Sequence, residues 1–288
     1  MKTAVNLTAV ALALVLGAPL PCKAALLVYD GFNYSPINDP ISGKSGGGSF
    51  GWSGSWMGSQ AAGYFVGGGS LTSPFPSEPS TGNMLSTGIS GGNKGTLRNL
   101  ATTLGTPGTT DYFSFLMQPT GTVGQGFDDG HMGFSILGTL NQLYAGKPGV
   151  GAVNPNLYDI ETVGGITRAP TNVPAVSGQT VLMVVRADFT AVNDTFTLYI
   201  NPPSATEPAT PNAVLGGYSV GTVTALQVSG PGAFNFDEIR VGTTFASVVP
   251  EPGSLALALV GLLCALAAAR RGNPRHEAQL GERGRQPT

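Results

Sequence analysis

The sequence predicts an all-β protein whose main body is an antiparallel β-sandwich. Three observations carry that expectation. Glycine accounts for 43 of the 288 residues and charged residues for only 10%, a composition that suits many short strands joined by glycine-rich turns better than it suits helices. Short runs rich in aromatic and β-branched residues recur in the second half, each bounded on at least one side by Gly, Pro or Asn, which is the pattern of strands and turns. The two cysteines, Cys22 and Cys264, lie near the ends, so the roughly 225 residues from Ala25 to Val249 must be held by packing alone, enough for one sizeable core. Disulfides, thiolate nucleophiles and cysteine-ligated metals are excluded from that body.

The first residues read as an export signal. Lys2 supplies a positive start, Ala9 to Leu16 an apolar stretch, and Pro19 and Pro21 end it. Cys22-Lys23-Ala24 puts a small residue before a cut at Ala25, so residues 1–24 are expected to be removed as a signal peptide by signal peptidase after passage through the secretion machinery. A lipoprotein role for Cys22 is disfavoured, because Pro19, Leu20 and Pro21 are not the small residues such a site needs.

The body follows, over 25–247. Leu26 to Tyr29 opens it with a short β-type run. From Gly31 to Gly69, Gly and Ser dominate, interrupted by Phe50, Trp52, Trp56, Tyr64 and Phe65. These aromatics are expected to anchor long loops onto the sandwich rather than to form a sugar-stacking platform, because a domain of this size needs its aromatics for burial. Asp111 to Met117 alternates as a half-buried strand; His131 to Leu140, Val181 to Ala187, Thr195 to Ile200 and Phe234 to Val241 read as further strands. In the last of these neither face is cleanly apolar, and Asp237 and Glu238, being adjacent, are expected on opposite faces with Arg240 as a partner.

The carboxyl end carries the clearest signal. Val249-Pro250-Glu251-Pro252-Gly253 precedes an uncharged run from Leu255 to Ala269, and Arg270-Arg271 closes it. Such a run makes a helix of roughly 22 Å, shorter than the ~30 Å hydrocarbon core. The prolines before it and the arginines after it favour a transmembrane helix over 254–269 that stops with its basic end in the cytoplasm, with a polar cytoplasmic tail over 272–288.

Pro250-Glu251-Pro252, the adjoining apolar segment and the Arg270-Arg271 pair together resemble the PEP-CTERM sorting signal of bacterial surface proteins, here over 248–271. The resemblance implies a sorting role for Pro250, Glu251 and Pro252, a membrane-stop role for Arg270 and Arg271, and an exosortase as partner, a membrane-embedded enzyme thought to cut near the tripeptide. The tail beyond Arg271 is longer than the family's usual ending. A second resemblance, to concanavalin A-like, laminin-G-type jelly rolls, rests on Gly31-Phe32-Asn33-Tyr34, Leu198-Tyr199-Ile200-Asn201-Pro202 and Asp237 to Gly242. It implies two stacked antiparallel sheets and no particular function.

Candidate chemistry is sparse. The net charge is −2 with no basic patch, which argues against nucleic acid. Gly43-Lys44-Ser45 has Asn38 where a phosphate loop needs its first Gly. His131 is the one histidine of the body, with no nucleophile motif beside it, and a zinc site lacks ligands. Asp159 and Glu161 are two apart, but Val163 and Gly164 follow where a jelly-roll glycosidase would carry another acid. Asp128-Asp129-Gly130 and Asn193-Asp194 are acidic turns, at best a weak Ca²⁺ site and more simply turns. The expectation is a non-enzymatic protein with no cofactor, exported, held in the inner membrane by one carboxyl-terminal helix with its amino terminus outside, and released to the cell surface or medium after processing. Its role would be adhesion, extracellular matrix or binding of extracellular polysaccharide. The alternatives are a carbohydrate-active hydrolase on a jelly-roll fold and a tail-anchored spacer.

Overall fold

A computed structural model describes residues 25–249 apart from 59–62, 75–81, 89–93, 124–129, 150 and 153. The expected signal peptide, Asp128 and Asp129, the tripeptide, the arginine pair and the apolar segment 254–269 lie outside the described residues. Among the described residues no helix is long and apolar enough to cross a membrane.

Among the described residues fifteen strands form two antiparallel sheets, the sandwich that the composition and the strand-like runs predict. In chain order they are β1 (Leu26–Asp30), β2 (Trp52–Met57), β3 (Tyr64–Gly67), β4 (Met84–Thr87), β5 (Gly95–Leu104), β6 (Thr110–Pro119), β7 (Met132–Gly138), β8 (Gln142–Lys147), β9 (Leu157–Thr162), β10 (Arg168–Pro174), β11 (Val181–Asp188), β12 (Asp194–Ile200), β13 (Ala213–Tyr218), β14 (Val223–Ser229) and β15 (Phe234–Gly242), followed by one helical turn, α1 (Phe245–Val248). One sheet runs β13-β12-β11-β6-β15-β4-β3, with β1 also paired to β15; the other runs β10-β9-β8-β7-β14-β5-β2. The chain passes between the sheets repeatedly, β5 to β6 to β7 and β13 to β14 to β15, as a jelly roll does.

Side chains of one parity meet between the sheets. Phe113, Phe115 and Met117 of β6 face Phe134 and Ile136 of β7 and Leu226 and Val228 of β14 in one cluster, with Phe115 and Phe134 stacked at 4.7 Å between ring centres. The other parity of β6 is buried too. Tyr112 and Leu116, with Leu182, Val184 and Tyr199, form a second cluster on the outer face of the eight-stranded sheet, capped by Phe245, Val248 and Val249. That cover explains why Val181 to Val185 is apolar without alternation. It also means that Asp111 to Met117 is buried on both faces, where sequence alone predicts a half-buried strand.

The segment from Gly31 to Gly69 holds β2 and β3 rather than loops alone. Its aromatics divide. Trp56 and Tyr64 are buried, Trp52 is half-buried and donates Nε1–H to Tyr29 O at 2.9 Å, and Phe50 and Phe65 are exposed. Trp56 donates to Asp30 Oδ2 at 2.9 Å, so both tryptophans serve as anchors of the amino-terminal segment.

Asp237 and Glu238 depart from simple alternation. The ladder between β15 and β6 slips between Asp237 and Arg240, and Glu238 has φ 53°, the left-handed region that few side chains adopt. Both acids are consequently fully buried on a bulge. Asp237 accepts from Ser70 Oγ and from the amides of Leu71 and Glu238, while Glu238 pairs with Arg240 at 2.7 Å, the partner the sequence suggests.

Candidate functional site: a polar trough across the seven-stranded sheet

In β8 and β9 the residues Leu143, Ala145, Tyr158 and Ile160 point into the core, so the alternation of the pleat sends Gln142, Tyr144, Asp159 and Glu161 to the outer face. Strand register then aligns that face into rows. Gln227 of β14 is opposite Ser135 of β7, Ser135 is opposite Tyr144, Tyr144 is opposite Glu161, and Glu161 is opposite Arg168 of β10. The neighbouring row is built of small residues, Gly95, Ser229, Gly133 and Gly146, before it reaches Asp159. A row of long polar side chains beside a row of glycines leaves a furrow. It is a cavity of about 420 Å³ whose lining runs from Lys94 and Gly95 to Arg168, with His131 and Gly149 on one rim and Val163 and Gly164 on another. Gly95 on β5 and Arg168 on β10 lie five strand spacings apart, so the trough is roughly 24 Å long at the usual strand spacing.

Tyr144 lies along this floor. A Cβ on Gly133 would fall 2.4 Å from its Cζ, so the missing side chain at 133 is what lets the ring lie down on the sheet. Its hydroxyl donates to Lys147 O at 3.0 Å, and the His131 ring sits 5.3 Å away. Burial, helped by the charges of Lys147 and Arg168, pulls the His131 pKa down to about 4, so at neutral pH its ring is uncharged.

The acidic end of the trough is a coupled pair. Asp159 and Glu161 are almost fully buried, and Arg168 Nε lies 2.7 Å from Glu161 Oε2. Burial first, and then the Glu161 charge, pushes the Asp159 pKa up to about 8; Glu161 is also raised by burial, with Arg168 opposing. Burial and the neighbouring Glu161 therefore keep Asp159 protonated at neutral pH, beside the ion pair of Glu161 and Arg168. Among the described residues that line the trough, Glu161 is the one acid.

The other candidates fall elsewhere. Lys44 pairs with Asp39 at 2.8 Å and donates to Ser35 O. Asp194 spends both oxygens on the fold, accepting from Thr190 N at 2.9 Å and Val220 N at 3.0 Å, as a turn residue does. Among the described residues no group of three or more His, Cys, Asp or Glu is placed to hold a metal ion. Sequence spacing brings Asp159 and Glu161 together, whereas Gln142, Tyr144, Arg168, Gln227 and Ser229 are gathered only by register across separate strands.

Residues 248–271 match the PEP-CTERM protein-sorting motif. The match contains Pro250, Glu251, Pro252, Arg270 and Arg271, and it implies export, membrane-associated sorting and an exosortase as processing partner. No curated protein matches the chain in sequence. Among solved structures, the T. cruzi calreticulin globular domain is similar at 12% identity and TM-score 0.44, covering 74% of this chain and 95% of that one. An endo-1,3-β-glucanase from Streptomyces sioyaensis aligns at 12% identity and TM-score 0.44, over 78% of this chain and 98% of that one. Peanut lectin aligns at 11% identity and TM-score 0.37, over 75% and 97%.

Proposed function

We propose that this chain is an exported, surface-sorted protein whose sandwich has a non-enzymatic adhesive or extracellular-matrix role, taking an extracellular glycan in the trough across the seven-stranded sheet. The trough carries the reading. It is long and narrow, and it offers amides from Gln142 and Gln227, the Ser229 hydroxyl and an ion pair from Glu161 and Arg168. Groups that donate and accept side by side match sugar hydroxyls, which do both. Its volume falls in the usual range for ligand sites, and the sorting motif supplies the extracellular setting.

The absence of catalysis is part of the proposal. It is supported by the lining of the trough, where Glu161 is the one acid among the described residues and a glycosidase needs two. A hydrolase reading draws on Asp159 and Glu161, since a carboxyl still protonated near neutral pH is what a general acid requires. One experiment separates them: titrate the secreted sandwich with extracellular polysaccharide fragments by calorimetry, and assay the same mixtures for new reducing ends. Binding that Glu161→Gln or Arg168→Ala weakens about tenfold, without new ends, is the expected result. New reducing ends that vanish in Glu161→Gln support the hydrolase, and no binding to any fragment removes the glycan role.

A further inference from the structure

The fold and the sorting motif share residues. The matched motif starts at residue 248, and Val248 and Val249 are both fully buried on the outer face of the eight-stranded sheet. They end a short strap, Phe245–Val249. Phe245 meets Tyr112 and Tyr199 edge-on, at 6.0 and 5.4 Å between ring centres. A capping box between Thr244 and Ser247 fixes the turn. The buried Ser114 Oγ of β6 donates to Val248 O at 2.8 Å, and Val249 N donates to Phe245 O at 3.0 Å. Pro250 follows Val249 directly, with no spacer residue between the strap and the tripeptide.

We propose that this strap masks the amino-terminal side of the sorting motif, so that the processing enzyme acts on molecules whose strap has left the sheet. The proposal rests on the exosortase reading of the motif. An enzyme that cuts a chain draws the backbone through its site in extended form and grips it by main-chain hydrogen bonds. Pro250 and Pro252 have no N–H, so within the tripeptide only Glu251 offers a backbone donor. Upstream donors and acceptors must then come from Val248 and Val249, and the fold already holds the Val248 carbonyl and the Val249 amide. The cut itself exchanges one bond: the carbonyl carbon passes to water or to an acceptor amine, and the departing nitrogen takes a proton. Where opening is fast relative to the cut, the rate follows the open population. The folded sandwich thus sets its own processing rate.

The test uses the full chain expressed beside an exosortase, with processing followed by pulse-chase and intact mass and strap opening by hydrogen exchange at the Val249 amide. Ser114→Ala is expected to speed exchange and processing together, about fivefold, the equivalent of one ordinary hydrogen bond. A second variant inserts a Gly-Ser spacer of about eight residues between Val249 and Pro250, which leaves every packed residue in place. It is expected to be processed faster than the parent and to be insensitive to Ser114→Ala. Faster exchange with unchanged processing in Ser114→Ala, or a spacer variant processed no faster than the parent, overturns the strap. If the parent and all variants stay uncut beside the exosortase, the sorting reading fails and the strap proposal falls with it.

Discussion

Arg98 and Asp30 form an ion pair inside the sandwich, with Nη1 2.9 Å from Oδ2 and side-chain exposures of 4% and 1%. The same oxygen accepts from Tyr34 Oη at 2.6 Å and Trp56 Nε1 at 2.9 Å, while the other takes the Phe32 amide at 2.9 Å. This is the physical content of Asp30-Gly31-Phe32-Asn33-Tyr34. The carboxylate ties the amino-terminal segment of one sheet to β5 of the other, and Trp56 packs on Phe32 at 5.5 Å.

Removing one member leaves the other charge buried and alone. Arg98→Met is expected to cost about 3–5 kcal/mol, far more than a surface change. The double variant Arg98→Met with Asp30→Asn should recover part of that loss. Urea unfolding of the secreted sandwich, parent against single and double variants, measures both.

Stability should fall as pH rises through the neutral range. Asp159 and Asp237 have folded pKa values pushed up to about 8 from 3.8, in both cases chiefly by burial. Between those values the folded state holds protons that the unfolded chain has released. Each group therefore lowers stability with rising pH across that window, by at most ~1.4 kcal/mol per pH unit, and is neutral outside it. Thermal midpoints at pH 5 should exceed those at pH 8, and the slope should flatten in Asp159→Asn and in Asp237→Asn.

The trough depends on Tyr144 lying over Gly133. Gly133→Ala puts a methyl 2.4 Å from the ring and 2.7 Å from Ala145 O, so ring or strand has to move. Glycan affinity is expected to drop about tenfold or more, with a loss of stability of about 1–3 kcal/mol. Calorimetry paired with thermal denaturation distinguishes a filled trough from an unfolded protein.

The strands that sequence reveals are those whose neighbours demand apolar residues. Asp111–Met117, Val181–Ala187, Thr195–Ile200 and Phe234–Val241 correspond to β6, β11, β12 and β15, the packed middle of one sheet, while Leu26–Tyr29 and His131–Leu140 correspond to β1 and to β7 of the other sheet. β5, β8, β9 and β10 are harder to read because their outer face carries residues such as Gly95, Gln142, Gly146, Asp159, Glu161 and Arg168, chosen by the trough rather than by a core. The second buried face of β6 is invisible locally, since its cover comes from Phe245–Val249, more than a hundred residues later in the chain. The sorting motif is readable for the opposite reason: all of its elements are contiguous, whereas Gln227 and Arg168 become neighbours in a row only through four strand pairings.

The central claim is that the chain is sorted through residues 248–271, and the most direct measurement is its intact mass and membrane fractionation in hosts with and without an exosortase. The account predicts a shortened, anchor-free form that appears only with the exosortase and disappears when Pro250, Glu251 and Pro252 are replaced by alanine. A full-length, membrane-retained chain in both hosts would contradict it.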